Sequence, residues 1–306
     1  MAKSSLPFAG FHLCTDISKL EADIALIGIP YGTPYHPGSP APSADAPDAI
    51  RRESVRYADD PVAWDFDLDG TLLGSTGARV MDCGDLVGSK TDGAYNRENA
   101  ENAIRNILQY GTVPVVLGGD DSIPIPVMRA FSGEKPFHVL QLDAHIDWRD
   151  EVKGVRDGYS STMRRASELP FVESIVQAGM RGVGSAREEE YRAAKDYGAK
   201  LVTSYEVADM GKETVLKHLP GGSRCLITLD FDVLDPSIMP AVGAPAPGGM
   251  DYRQVIEIIQ GAAERCEIVG VCLVELVPGR DVGGLGAVTA MRITWNVIGA
   301  LARNLR

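Results

Sequence analysis

Short, nearly unbroken apolar runs alternate along the chain with stretches whose apolar residues recur every three or four positions. The runs Ile24–Ile29, Val113–Leu117, Phe137–Leu142, Ser174–Ala178, Lys200–Thr203, Cys225–Leu229 and Ile268–Val274 read as strands. Between and after them, Ala46–Tyr57, Asn96–Tyr110, Ile123–Ala130, Ala186–Asp196, Lys212–His218, Tyr252–Ala263 and Leu285–Asn304 read as helices. A strand buried on both faces needs no polar alternation, and strands separated by helices pair in parallel. The pattern therefore predicts a parallel sheet covered by helices on both faces. No repeat, low-complexity run or linker divides the chain, so residues 1–306 read as one α/β domain. The Gly/Pro-rich stretch Tyr31–Pro47 reads as a long loop, and long loops in compact domains are commonly functional.

Three of the strands run directly into acidic clusters. VVLGG leads into Asp120-Asp121-Ser122, HVLQL into Asp143-Ala144-His145-Ile146-Asp147, and CLITL into Asp230-Phe231-Asp232-Val233-Leu234-Asp235. Ligands of open α/β sheets bind beyond the carboxyl ends of the strands, where all three clusters can converge. A single Asp-Asp after a strand is ordinarily a turn or helix cap. Three clusters in one place are another matter, because packed carboxylates repel and resist burial unless cations neutralise them. Carboxylate oxygens with one imidazole suit divalent ions such as Mn²⁺ or Ni²⁺ better than thiophilic ones.

Charge and cysteine usage narrow the partners. A net charge of −12 disfavours nucleic acid and draws a cationic substrate. Cys14, Cys83, Cys225, Cys266 and Cys272 form no CxxC pair, and most sit among apolar neighbours. They read as reduced, buried thiols of a cytoplasmic protein. The first residues lack the apolar run of a secretory signal, and no segment approaches the ~20 apolar residues of a membrane span.

With these motifs in hand, the chain resembles the ureohydrolase (arginase/agmatinase) family, agmatinase-like members above all. The resemblance begins with IALIGIPYGTP and APSADAPDAIRRES, and continues through MDCGDL, LGGDDS, DAHID and QAGMRG. LDFDVLDPSIMPAVGAPAPGG, LVELVPGRD and GAVTAMR complete it in family order. It implies a three-layer α/β/α domain with a parallel sheet of about eight strands. It further implies two divalent ions, Mn²⁺ first and Ni²⁺ as the other candidate. One would be held by Asp121, Asp143, Asp147 and Asp230, the second by Asp143, His145, Asp230 and Asp232. Asp143 and Asp230 would bridge the ions, and Asp235, followed by Pro236, would shape the turn. The implied reaction is hydrolysis of a guanidino compound, agmatine or a related guanidine, to urea and an amine. Glu275 occupies the position of the carboxylate that holds the substrate guanidinium. The loops Tyr31–Pro47 and Met239–Gly249 are the expected determinants of substrate choice. A homo-oligomer, trimeric or hexameric, is the implied assembly.

Two positions depart from the family pattern. The family normally reads GGDHS, whereas Asp121 stands here in place of the histidine. Five carboxylates facing two dications leave one negative charge in excess, which makes a bound water less acidic and shifts metal preference. The second departure is Ser160, which stands where many members carry a proton-shuttling histidine. Serine carries protons poorly near neutral pH. Of the five histidines, His36 alone lies in a loop able to reach the cleft, and it is the candidate substitute. These departures raise the alternative of a non-catalytic family member that works with a related subunit. The retained DAHID, DFDVLD and Glu275 argue for an active enzyme.

Asp67-Leu68-Asp69-Gly70-Thr71-Leu72 also resembles the nucleophile motif of haloacid-dehalogenase-type phosphatases, with Asp120-Asp121 as its later acidic pair. The preceding VAWDF is short and broken by Asp65, and the reading leaves Asp143–Asp147 and Asp230–Asp235 without a role. Asp82 and Asp85 read as a strand-end turn and Arg164-Arg165 as a helix-surface pair. Trp148 reads as core packing or a shield over the metal cleft.

Overall fold

The apolar runs assemble into a single nine-stranded sheet. The computed structural model describes residues 6–305 except 37–40, 59, 61, 90, 91, 184 and 185. The strands are β1 (His12–Leu13), β2 (Ile24–Ile29), β3 (Val80–Asp85), β4 (Val113–Gly118), β5 (Phe137–Leu142), β6 (Val172–Met180), β7 (Lys200–Thr203), β8 (Arg224–Asp230) and β9 (Glu267–Val274). Their order is β1-β3-β2-β4-β9-β8-β5-β6-β7, and all pair in parallel.

Successive side chains of a strand point to opposite faces. Ile24 and Leu26 of β2 accordingly join one core, while Ala25 and Ile27 join another. The first core is closed by α1 (Ala46–Ser54), α8 (Tyr252–Arg265) and α9 (Leu285–Arg303). The second is closed by α2 (Gly93–Gln109) and α3 (Pro124–Arg129). Two cores on one sheet make the three-layer α/β/α architecture. The remaining helices are α4 (Thr162–Ser167), α5 (Glu188–Tyr197), α6 (Ser204–Met210) and α7 (Glu213–Leu216). The 19-residue α9 has the length and apolarity of a membrane span, contrary to the expectation that no segment comes near it. It is mostly buried against the sheet, so its apolar surface has a partner within the fold.

Four elements escaped the hydrophobic pattern. β1 is two residues long, and β3 carries acidic residues that read as a turn. Asp82 is instead fully buried within β3, where Arg51 of α1 grips it through Nε at 2.8 Å and Nη2 at 2.9 Å. Arg51 also reaches Asp85 at 2.5 Å. Buried charges persist only when paired in this way. The short α4 and α6 are too brief to show a period, although Thr203 and Glu206 form a capping box at the start of α6.

Candidate metal centre

At the middle of the sheet β4, β9, β8 and β5 lie side by side and, being parallel, end on the same edge. Asp121 lies three residues beyond β4, Glu275 directly follows β9, Asp230 ends β8, and Asp143 directly follows β5. A 3₁₀ turn over Phe231–Val233 carries Asp232 into the same space.

Backbone amides and buried glutamines fix the cluster. Asp143 accepts from the His145 amide at 2.6 Å and from Gln141 Nε2 at 2.8 Å, and Gln141 also reaches Asp147 at 2.9 Å. Gln177 in turn donates to Gln141 and accepts from the Trp148 indole at 2.7 Å. Asp230 accepts from the Asp232 amide at 2.7 Å, and Asp232 from the Ala144 amide at 3.1 Å. His145 Nδ1 lies 3.0 Å from Asp232 and 3.4 Å from Asp143. Arg181, nearly buried, donates to the carbonyls of Asp232, Val233 and Leu234 and so holds the exit of β8. Gly179 permits this packing: its φ is +115°, and a Cβ there would lie 2.7 Å from the Asp143 carbonyl oxygen.

Asp121 differs from its neighbours. It is 3% exposed, and neither carboxylate oxygen has a hydrogen-bond partner. An unpartnered buried carboxylate is strongly unfavourable unless a cation meets it. Ligand atoms of Asp121, Asp143 and Asp230 all lie within 4.8 Å of one another, as do those of Asp143, His145 and Asp232. Asp143 belongs to both groups and could join two ions. Asp230 belongs to one group only, and Asp147 lies beside both, tied through Gln141 to Asp143. Five carboxylates and one imidazole form a hard donor set that fits divalent cations.

The electrostatics agree. Burial, reinforced by the neighbouring carboxylates, raises Asp121, Asp143 and Asp230 well above the usual carboxylate range. Burial also raises Asp147. Burial and then the Asp120 charge push Glu275 up to about 8. Burial opposes charge on His145, but the hydrogen bond and charge of Asp232 outweigh it and bring the ring to about 9.

The cluster forms the floor of a cavity of about 480 Å³. Asp121, His145, Asp147, Asp230, Asp232, Glu275, Ser160 and His36 line it, while Asp143 is fully buried behind them. Glu275 accepts the Asp121 amide at 3.0 Å, and the Ser43 hydroxyl lies 3.5 Å from its other oxygen. Asp147 and Glu275 adopt left-handed backbone angles, with φ of +48° and +69°. Non-glycine residues occupy that region at a cost and concentrate there at functional sites. Both loops expected to govern substrate choice reach the cavity, through Tyr35 and Pro42 and through Gly243 and Ala244. Residues 37–40 of the first loop lie outside the described residues. Ser160 donates its amide to the Tyr35 hydroxyl at 2.7 Å, and His36 stands at the mouth.

Other acidic residues have structural tasks. Asp120 caps Ser122 and accepts the Thr33 amide at 3.0 Å, a close approach that a Cβ on Gly32 would block at 1.9 Å. Asp235 accepts the amides of Ser237, Gly248 and Gly249, and the Ser237 contacts lead in holding it at about 2. Asp67 is tied at 2.6 Å to both Tyr252 and Arg292, outside the cavity lined by Asp120 and Asp121, so the phosphatase constellation does not assemble. Trp148 is packed against Tyr197 and does not line the cavity. Arg165 is buried and paired with Asp150 and Glu168 rather than lying on a helix surface. Sequence reasoning gave no role to Gln141, Gln177, Arg181, Lys153, Tyr159 or Arg280, although Gln177, Arg181 and Arg280 lie within motifs that carry the resemblance. A glutamine inside the apolar run HVLQL was the available signal for the first of these.

The arginase family profile matches residues 22–299. A guanidinopropionase of Pseudomonas aeruginosa is 30% identical over 233 residues, covering 74% of this chain and 72% of its own length. A mitochondrial guanidino acid hydrolase of Homo sapiens is 30% identical over 302 residues, with coverage of 92% and 79%. The solved structure of proclavaminate amidino hydrolase from Streptomyces clavuligerus matches with a TM-score of 0.85 at 25% identity, covering 99% of this chain and 98% of that one. Fold, acidic cluster and sequence likeness together make the chain a member of the arginase family of hydrolases acting on guanidino C–N bonds.

Proposed function

We propose that this chain is a binuclear-metal amidinohydrolase that cleaves a guanidino compound, of the class that includes agmatine, to urea and an amine. One ion is assigned to Asp121, Asp143, Asp147 and Asp230, the other to Asp143, His145, Asp230 and Asp232. The observation that carries the reading is Asp121, whose two buried oxygens have no hydrogen-bond partner and one of which lies within 4.8 Å of oxygens of Asp143 and Asp230. The oxygen-rich donor set favours Mn²⁺ over Ni²⁺. Two such ions, when bound, supply hydroxide near neutral pH and Lewis-acid stabilisation of developing negative charge.

The protein's own groups do the rest. Glu275 receives the guanidinium; a cation beside it restores its ionised form, against the burial that raises its free value to about 8. The Asp121 amide keeps that carboxylate aimed into the cavity. Gln141 and Gln177 orient Asp143 and Asp147 so that no carboxylate rotates away when the site loads. Ser160 lends wall and hydrogen-bonding capacity, and His36 is assigned the proton relay to the leaving amine. The five buried, unpaired cysteines support a cytoplasmic setting.

Metal content by plasma mass spectrometry, after purification without chelator or metal affinity, is the deciding measurement. About two equivalents of Mn or Ni per chain, with urea released from a guanidino compound, is the expected result. Metal near zero after incubation with either ion would overturn the assignment. A His36→Ala variant with undiminished turnover would remove the relay role.

A further inference from the structure

The floor and the mouth of the cavity carry opposite charge. Asp121, Asp230, Asp232 and Glu275 make the floor acidic, whereas Lys153 and Arg280 stand at the rim. Both cations are exposed, and among the described residues neither pairs with a carboxylate. This contrasts with nearby arginines. Arg97 and Arg129 are neutralised by Asp157, and Arg165 by Asp150. In a chain of net charge −12, two unneutralised cations at one opening demand a reason.

Neither is anchored by a carboxylate among the described residues. Lys153 Nζ lies 2.8 Å from His36 Nε2. Arg280 donates through Nη1 to the carbonyls of Val242 and Gly243, at 3.1 and 2.7 Å, which leaves its remaining N–H groups for a ligand. Gly243 is itself adjacent to Glu275, since a Cβ there would lie 3.4 Å from Oε2. Arg280 is thus anchored on the backbone of the same residue that packs beside the carboxylate assigned to the guanidinium. Between floor and rim, Tyr159 forms an apolar wall, backed by Tyr35 at a ring separation of 4.4 Å.

We infer that the substrate is a guanidino acid, with a short methylene chain along Tyr159 and a terminal carboxylate read by Lys153 and Arg280. This rests on the reading of the floor as the guanidinium site. A tail ending in an ammonium, as in agmatine, would meet two like charges at the rim, and such juxtaposition is a means of rejecting wrong ligands. The reaction balances as hydrolysis. Water oxygen bonds to the guanidinium carbon, the bond from that carbon to the chain nitrogen breaks, and the nitrogen leaves with a proton from the water. Urea and an ω-amino acid result.

The test compares 4-guanidinobutyrate with agmatine, which match in length and differ in the sign of the tail. Expected is a kcat/KM for the acid at least about tenfold higher, a margin of one like-charge contact. Lys153→Met should raise KM for the acid with little change in kcat, and Lys153→Glu should move the acid-to-agmatine ratio toward agmatine by at least about tenfold. Arg280→Gln also releases the Val242–Gly243 loop, so the lysine variants carry the decision. Agmatine as the better substrate, or a ratio unmoved in Lys153→Glu, would overturn the inference. If no guanidine yields urea, the hydrolase reading has failed rather than this one. Calorimetric titration of both compounds into the metal-loaded protein then decides, tighter binding of the acid sustaining the tail site and equal or weaker binding overturning it.

Discussion

Oε1 of Glu275 accepts the backbone amide of Asp121 at 3.0 Å, which ties the residue that closes β9 to the loop that leaves β4. The group assigned to substrate and a group assigned to metal thereby share one hydrogen bond. Glu275→Gln keeps an acceptor for that amide but removes the charge facing the guanidinium. We expect metal content to stay at the wild-type value while kcat/KM falls about 100-fold, the scale of losing a preorganised charged contact. A fall below about threefold would show that the guanidinium is held elsewhere.

Asp121 gives a prediction with two opposite signs. Asp121→Asn removes a buried charge that has no protein partner. Without metal the variant should be more stable than wild type, by about 1–3 kcal/mol in chemical denaturation with chelator present. With metal supplied, it should bind about one equivalent fewer. A metal-free variant less stable than wild type would show that Asp121 serves the fold rather than an ion.

Stability of the metal-free protein should fall as pH rises. The folded state raises Asp121, Asp143 and Asp230, and brings Glu275 to about 8. The unfolded carboxyls release their protons near pH 4, so above about that pH the native state binds more protons than the unfolded one and the slope is negative. His145 acts in the same direction. Its stabilisation is complete below the unfolded value of about 6.5 and is lost as pH passes about 9. Thermal melts in chelator between about pH 5 and 9 should show a declining Tm, and Mn²⁺ should flatten or reverse the trend. A Tm that climbs with pH in chelator would contradict the burial of these groups.

Much of this was legible in the sequence, and what was not has physical reasons. Ile24–Ile29 and Phe137–Leu142 coincide with β2 and β5, because fully buried parallel strands write themselves as apolar runs, and Lys200–Thr203 coincides with β7 although that edge strand is only partly buried. β3 was marked only by the resemblance of MDCGDL to a family strand, because its polar residues break the apolar pattern and are answered by Arg51, some thirty positions away. The aspartates at the floor followed from their places after strands, whereas Glu275 was singled out only by the family resemblance. Gln141 and Gln177 could be seen only as polar residues in apolar runs, and nothing in one sequence says that they face each other. Lys153 and Arg280 belong to loops, and their joint position at one opening is a property of the folded chain alone.

Arg51 supports a prediction about the fold itself. It is fully buried, spans Asp82 and Asp85, and its partner Asp82 also accepts the Phe8 amide at 2.8 Å. Arg51→Ala strands two carboxylates, one of them in the core, and should cost about 3–5 kcal/mol in denaturant unfolding. Asp82→Asn with Arg51→Met should recover part of that loss, since a buried pair replaced together leaves no orphan charge. If the single variant unfolds like wild type, the pair is dispensable.

The four strand ends that deliver Asp121, Glu275, Asp230 and Asp143 are neighbours across the sheet yet belong to segments far apart in the chain. Any ion held between Asp121, Asp143 and Asp230 therefore acts as a cross-link among β4, β5 and β8, closing long loops much as a disulfide would. Such a staple must open before those central strands part, so loading the centre governs how long a folded molecule persists as well as how stable it is. The protein's lifetime would then follow the supply of the ion, and loss of metal would mark molecules for unfolding along with silencing them.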